Sequence, residues 1–515
     1  MTAESPSSDR PAGNLTRQTV SGLQWSYFGS LAGGVLQFGM TAVMARLLSP
    51  TAFGLVALAG LFLRFVDYFA KAGVAQAVVQ KAELSPTDIR AAFTISSGLS
   101  AVFALVAVYA APLAGRLAQD PELVPVLRWL ALGLVLQGLG APAIALLRRR
   151  MAFKKVALLE LGSYVLGYMV VGLAMALAGA GVFALVGAML TQLAVQTFAG
   201  YALTRHPARP TLSPGSYRAI FGFGGRISVI GFFEFLQTNL DTLAIGRWAG
   251  SAQLGLYNRA KIMGELPSYH LTEGLRKVLF PSFSAIQADT PRLRTVYVSS
   301  VGMAASIVLP LNAGMAVAAP ELIRVVLGPQ WLGAIPVMPW VILASTLTLF
   351  GWLAGTVLEA QAALNAKLLV AIGSTVTLVL LLFLAEGRPL AAYGAAVAVA
   401  SLVMNVGYVA IMTRTLQTSF GSLTLPFVRG LAGAAIVAAA IAACRIALHA
   451  LQTPVLLVLI CEVIVGALAL GFAMRVGPLG PFRKDLVQRL TAAGIMGDTD
   501  GRADRILSRT LGSVE

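Results

Sequence analysis

A bundle of membrane-crossing α-helices is the fold class this sequence predicts, on three observations. Hydrophobic residues make up 57% of the 515 residues and charged residues 12%, against roughly 25% charged in globular proteins. A soluble fold of this size does not hide that much apolar surface. Fourteen stretches are apolar over about 20 residues, enough to cross a bilayer, and none shows the alternation of a membrane β-barrel. Helices are the natural choice because each satisfies its own backbone hydrogen bonds in lipid. The expectation is therefore an all-α polytopic membrane protein of about 14 transmembrane helices.

The chain opens on residues 1–17, polar and rich in Pro and Ser. They read as a disordered cytoplasmic N-terminus without a cleavable signal-peptide pattern. The spans then run approximately over 20–45, 52–71, 90–111, 123–147, 156–178, 181–203, 219–247, 252–283, 295–318, 332–358, 364–385, 390–413, 427–448 and 454–474. Lys and Arg concentrate in alternate loops, with Arg10, Arg17, Lys81, Arg90, Arg148, Arg149, Arg150, Lys154, Lys155, Arg205, Arg209, Arg292, Arg294 and Arg414 on one side. The other side holds only Arg46, Arg116, Arg128, Arg247, Arg324, Arg388 and Arg445. By the positive-inside rule the first side, with both termini, is cytoplasmic in the inner membrane. This distribution, rather than nucleic acid, accounts for the formal charge of +16.

Shifted by 201 positions, residues 45–55 fall over 246–256, Gly73 over Gly274 and Val78 over Leu279. Span 1 then matches span 7 and span 2 matches span 8. Six spans per repeat give both halves one orientation, with an axis along the membrane normal. The expected layout is an N-lobe of spans 1–6 (18–204), a cytoplasmic linker (205–218) and a C-lobe of spans 7–12 (219–415). Spans 13 and 14 (416–475) lie at the periphery, followed by a cytoplasmic tail (476–515) containing FRKDLVQRL.

Ionisable groups at membrane depth are costly and rarely face lipid, yet spans 2, 7 and 8 are rich in them. Arg64, Asp67, Tyr68 and Lys71 share one face of span 2, at i, i+3, i+4 and i+7. Span 7 carries Arg226, then Glu234, Gln237 and Asp241 at i, i+3 and i+7. Span 8 carries Lys261, Glu265, Tyr269, Glu273 and Lys277 every four residues, with Arg259 and His270 on another face and Pro267 inviting a kink. Any one of these residues is as well explained by a structural ion pair. Three such helices meeting in the repeat point instead to a hydrated cavity. Glu462 in span 14 is isolated and reads as a packing residue. Cys444 and Cys461 lie in spans and the three histidines are scattered, so no disulfide, metal or other cofactor is expected.

Three stretches carry a family resemblance. Ala45-Arg46-Leu47-Leu48-Ser49-Pro50 with Phe53-Gly54 is the first. The second joins Asn239-Leu240-Asp241, Gly255-Leu256-Tyr257-Asn258-Arg259-Ala260 and Val278-Leu279-Phe280-Pro281-Ser282-Phe283-Ser284, and the third is Leu327-Gly328-Pro329-Gln330-Trp331. Over roughly residues 15–415 the chain resembles the Wzx-type lipid-linked oligosaccharide flippases of the multidrug/oligosaccharidyl-lipid/polysaccharide exporter superfamily. The resemblance implies a two-lobed bundle with twelve core helices and a cationic cavity, and no enzyme activity. It implies an undecaprenyl-diphosphate-linked oligosaccharide as substrate, the lipid bilayer as surroundings, and polysaccharide polymerase and export machinery as partners. A diphosphate of about two negative charges needs Lys or Arg beside it to leave water. Arg64, Lys71, Arg226, Arg259, Lys261, His270, Tyr68 and Gln237 are the candidate substrate ligands, and Glu234, Asp241, Glu265 and Glu273 the candidates for ion coupling.

Two other classes compete. A cation-coupled drug or metabolite exporter of the same superfamily would favour an acidic cavity without a basic floor. A membrane glycan polymerase or ligase would need a sizeable outer loop bearing catalytic groups, whereas the outer loops here are short and lack histidine.

Overall fold

The computed structural model describes residues 12–70, 85–211, 225–475 and 477–479, and every structured segment among them is helical. Fourteen long helices occur in them: α1 (Ala12–Leu47), α2 (Pro50–Ala70), α3 (Pro86–Ala118), α4 (Leu123–Arg149), α5 (Phe153–Leu177), α6 (Val182–Thr204), α7 (Gly225–Trp248), α8 (Gly250–Ala285), α9 (Thr290–Val317), α10 (Met338–Ala360), α11 (Leu364–Ala385), α12 (Leu390–Thr415), α13 (Phe420–Ala450) and α14 (Val455–Arg475). Eleven have the length and apolarity to cross a membrane. The other three, α2, α7 and α8, carry the ionisable stripes read in the sequence.

The differences from the predicted boundaries have local causes. Residues 12–17, expected in a disordered tail, form the start of α1. Helix α3 begins before its apolar run because Ser85 and Asp88 form a capping box, with Ser85 Oγ accepting from Asp88 N at 3.1 Å and Asp88 Oδ2 accepting from Ser85 N at 3.0 Å. Asp289 and Ser419 extend α9 and α13 in the same way, each accepting from the backbone N–H three residues on. Helix α10 begins at Met338 rather than near 332, because Pro329–Ala334 winds as a 3-10 turn. Helix α8 continues through Pro267.

The chain divides into two compact units. The first holds residues 1–259 with Val326–Ala334 and Leu378–Tyr393; the second holds Ala260–Val325, Ile335–Thr377 and residues from Gly394 on. In the second unit, α9 and α10 pack over a core that includes the fully buried Phe283, Leu353, Val357 and Leu358.

In the first unit the decisive contact is a backbone crossing of α2 and α8. A Cβ on Gly54 would run into the carbonyl of Ser251, and a Cβ on Gly255 into the carbonyl of Pro50. Gly54 and Gly255 are equivalent in the 201-residue repeat, as are Pro50 and Ser251. The contact is thus reciprocal, each helix presenting its glycine to the other's first-turn carbonyl. The same tripeptide also follows α3 and α9, as Pro121-Glu122-Leu123 and Pro320-Glu321-Leu322. Polar groups close the crossing. Ser251 Oγ donates to Asp120, Arg247 Nη1 donates to the Leu117 carbonyl at 2.6 Å, and the buried Trp331 Nε1 donates to the Ala45 carbonyl at 2.8 Å. Gln330 bonds the carbonyls of Ala45 and Leu48.

The linker begins as a packed segment. His206 is 4% exposed, its Nδ1 lies 2.9 Å from Thr204 Oγ1, and its ring contacts Phe93 and Tyr201. Thr211 N donates to Thr94 Oγ1 at 3.0 Å, tying the linker to the start of α3.

Two expectations follow. Gly54→Ala and Gly255→Ala each cost about 1–3 kcal/mol or more, the range for forcing atoms into a filled space. Gly39→Ala, where the added Cβ meets nothing within 4 Å, leaves thermal stability of the purified protein unchanged or raises it. For His206, burial pushes the imidazole below its ordinary value of 6.5, so folding favours the neutral form. Its contribution is complete above pH 6.5 and is lost as pH falls from there toward the lower folded value. The melting temperature of the wild type then falls between about pH 7 and pH 5 more than that of His206→Gln. Parallel curves would show that His206 is not held neutral.

Candidate functional site

Arg259 lies one turn beyond Gly255 on α8, about 6 Å along the axis from the crossing. Its guanidinium carbon sits 4.5 Å from the centroid of Phe53, which the crossing fixes in place and which also meets Trp331 edge-on at 5.3 Å. Nη2 donates to Asn258 Oδ1 at 2.8 Å, while Nε is buried and has no hydrogen-bond partner. The charge of Arg259 interacts with the hydroxyls of Tyr164 and Tyr168 on α5. Those rings stack at 4.7 Å with 15° between planes. They flank the start of a π-helical stretch, Val165–Gly172, a form of helix frequent at functional sites. Among the described residues Arg259 has no carboxylate partner. A cation so placed is costly unless an anion joins it.

Arg64 lies on α2 about 15 Å along the axis from the crossing. Its Nη2 donates to Asn239 Oδ1 at 3.2 Å, and Asn239 Nδ2 is held by the Phe235 carbonyl at 2.8 Å. Asp241 is within its electrostatic reach. Arg64 is exposed and Asp241 is buried. The Asp241 carboxylate accepts from Thr242 N at 2.6 Å, from Thr242 Oγ1 at 3.2 Å and from Tyr257 Oη at 2.6 Å. Asp241 therefore binds α7 to α8 and balances Arg64.

Two cationic levels thus stand on the crossing helices: Arg64 with a carboxylate nearby, and Arg259 without one. Gln237, Lys261 and Glu265 lie half-buried on α7 and α8. Lys71 falls outside the described residues, as do the side chains of Tyr68, Arg226, Glu234, His270 and Glu273. Tyr164, Tyr168, Phe53, Asn239 and Tyr257 are additions to the candidate ligands predicted from sequence. Phe53, Asn239 and Tyr257 lie inside the stretches that carry the family resemblance, whereas the two α5 tyrosines share only an i, i+4 spacing.

The profile of the family described as "Polysaccharide biosynthesis protein" matches residues 43–336, more than half of the chain. The chain belongs to this polysaccharide biosynthesis family. The matched segment contains Arg64, Arg259 and the α2–α8 crossing, and the Wzx-type resemblance read in the sequence holds. Within reach of the family are the lipopolysaccharide biosynthesis protein WzxC of Escherichia coli (strain K12), 26% identical over 68% of this chain and 71% of that protein, and the succinoglycan biosynthesis transport protein ExoT of Rhizobium meliloti (strain 1021), 29% identical over 61% of this chain and 63% of its own length. In three dimensions the chain is similar to the lipid II flippase MurJ in an inward closed conformation, with a TM-score of 0.66 at 11% identity, covering 90% of this chain and all of that one. An inward-facing multidrug resistance MATE transporter matches at a TM-score of 0.51 and 18% identity, over 76% of this chain and 96% of that one. These two likenesses concern the fold. ExoT is a transport protein by name, and the two solved structures are a flippase and a transporter.

Proposed function

We propose that this protein is a flippase for undecaprenyl-diphosphate-linked oligosaccharides. It moves them from the cytoplasmic to the periplasmic leaflet of the inner membrane by alternating access, with both termini cytoplasmic, for exopolysaccharide or lipopolysaccharide synthesis. The observation that carries this reading is Arg259, a half-buried cation with an unpartnered Nε and, among the described residues, no carboxylate partner. A diphosphate supplies the missing anion, and the planar guanidinium suits it. Arg64, with Asn239 beside it, offers a second contact nearly two helical turns farther from the crossing. The polyprenyl tail stays in lipid, and the glycan hydroxyls meet Gln237 and the tyrosines of α5. The names of the relatives support the class of cargo, lipopolysaccharide in one and succinoglycan in the other. An exporter of organic cations is disfavoured by the same arginine, which repels such a cargo and has no carboxylate partner among the described residues. The polysaccharide polymerase and export machinery are the partners expected downstream.

The test is polysaccharide export from a strain lacking the chromosomal gene, read with the amount of folded protein in the membrane. Arg259→Ala, present at normal level, weakens binding by about 2–5 kcal/mol as expected when one partner of a desolvated charge pair is removed. Export falls and the lipid-linked intermediate accumulates, while Arg259→Lys restores part of it. Normal export from folded Arg259→Ala would refute this role.

A further inference from the structure

The second unit contains a polar cluster that the substrate site does not use. Glu462 on α14 is 0% exposed, and neither carboxylate oxygen has a hydrogen-bond partner. Glu321, in the short helix Ala319–Leu322 that packs against α14, is 1% exposed, with Oε2 also unpartnered. Its Oε1 lies 2.9 Å from Nε2 of His449, near the end of α13. The His449 side chain, one residue past the predicted span 427–448, is 43% exposed, so the cluster runs from an exposed imidazole to a fully buried carboxyl. Arg445, one turn before His449, donates Nη1 to the Val317 carbonyl at 2.8 Å. Glu321, Arg445 and His449 all interact electrostatically with Glu462. Cys444 and Cys461 are the other titratable groups at this packing, and Arg324 points to the exterior. Among the described residues Arg445 is the one guanidinium facing the two carboxyl groups, so ionising both would leave a negative charge uncompensated. A buried carboxylate without hydrogen bonds does not persist in that state. One added cation cancels it.

We propose that Glu462, Glu321 and His449 form a proton-binding site built by the two C-terminal helices. Resting on the flippase reading, it is the site whose loading couples translocation to a proton gradient. His449 receives a proton from water at its exposed ring and delivers it through the Glu321 contact, and the carboxyl pair retains it. The proton enters and leaves as such, with no other bond made or broken. Among the carboxylates considered from sequence, Asp241 is committed to Tyr257 and Thr242, whereas Glu462 is committed to nothing.

The experiment uses the full-length protein in liposomes and dicyclohexylcarbodiimide, which adds to protonated carboxyls in apolar surroundings, with the modified residue located by mass spectrometry. Modification of Glu462 is expected to fall about tenfold between about pH 5 and pH 9 and to be unaffected by sodium. Substitution Glu462→Gln is expected to abolish the response of translocation to an imposed pH difference while translocation without a gradient persists. Modification that is constant over this range would mark Glu462 as a permanently neutral packing residue, and protection by sodium at fixed pH would mark a metal-cation site. Either result overturns the proposal. Labelling is read without translocation, so a wild type that labels as expected but moves no glycolipid would refute the flippase reading and leave the proton site standing.

Discussion

The close passage of α2 over α8 is the constraint on which the rest of the first unit depends. Two backbones approach within carbonyl contact only where neither carries a side chain, and here Gly54 and Gly255 meet that condition reciprocally. In lipid, helices gain little from hydrophobic association, so small residues that admit close packing take over as the source of specificity. The crossing places Phe53 under the Arg259 guanidinium and sets the Ala45 carbonyl where Trp331 and Gln330 reach it. It also explains why the two halves of the sequence keep their strongest match at this point: each glycine answers the other's carbonyl, so neither is free to change alone.

Among the described residues, charge withdrawn from solvent is of two kinds. Lys367, 8% exposed, is paired with Glu359 at 2.6 Å, and Asp241 is held by three donors. Such groups fix helix packing and ask for nothing further. Arg259 Nε and both carboxylate oxygens of Glu462 have no hydrogen-bond partner, one group a cation and the other a carboxyl. An unmet polar group at membrane depth is expensive to keep, and its retention is most simply explained by an occupant that visits it. The occupant we propose is an anionic head group for Arg259 and a proton for Glu462.

Much of this was legible in the sequence. The all-helical membrane class was read correctly, with eleven of the long helices among the described residues apolar enough to cross a membrane, and the three helices richest in intramembrane charge, α2, α7 and α8, carry Arg64, Asp241 and Arg259. The 201-residue repeat pointed at Gly54 and Gly255, and Arg259 stood out inside the central motif. Tyr164 and Tyr168 did not stand out, because tyrosines in an apolar run look like packing until a cation is placed beside them. Glu462 looked isolated because Glu321, Arg445 and His449 belong to other helices, and Glu321 is remote in sequence. Helix starts at Ser85, Asp289 and Ser419 lay outside the apolar runs, since caps are chosen for their hydrogen bonds and hydropathy does not register them.

The central claim is that the site selects a diphosphate through a cation that the protein leaves unneutralised. The direct measurement is translocation by the full-length protein in liposomes, comparing one fluorescent glycan carried on a polyprenyl diphosphate and on a polyprenyl monophosphate. Losing one charged contact of about 1.4 kcal/mol is a factor of ten in rate, so the diphosphate is expected to cross at least about tenfold faster. Equal rates for the two lipids, or transport of an organic cation in place of both, would contradict the account.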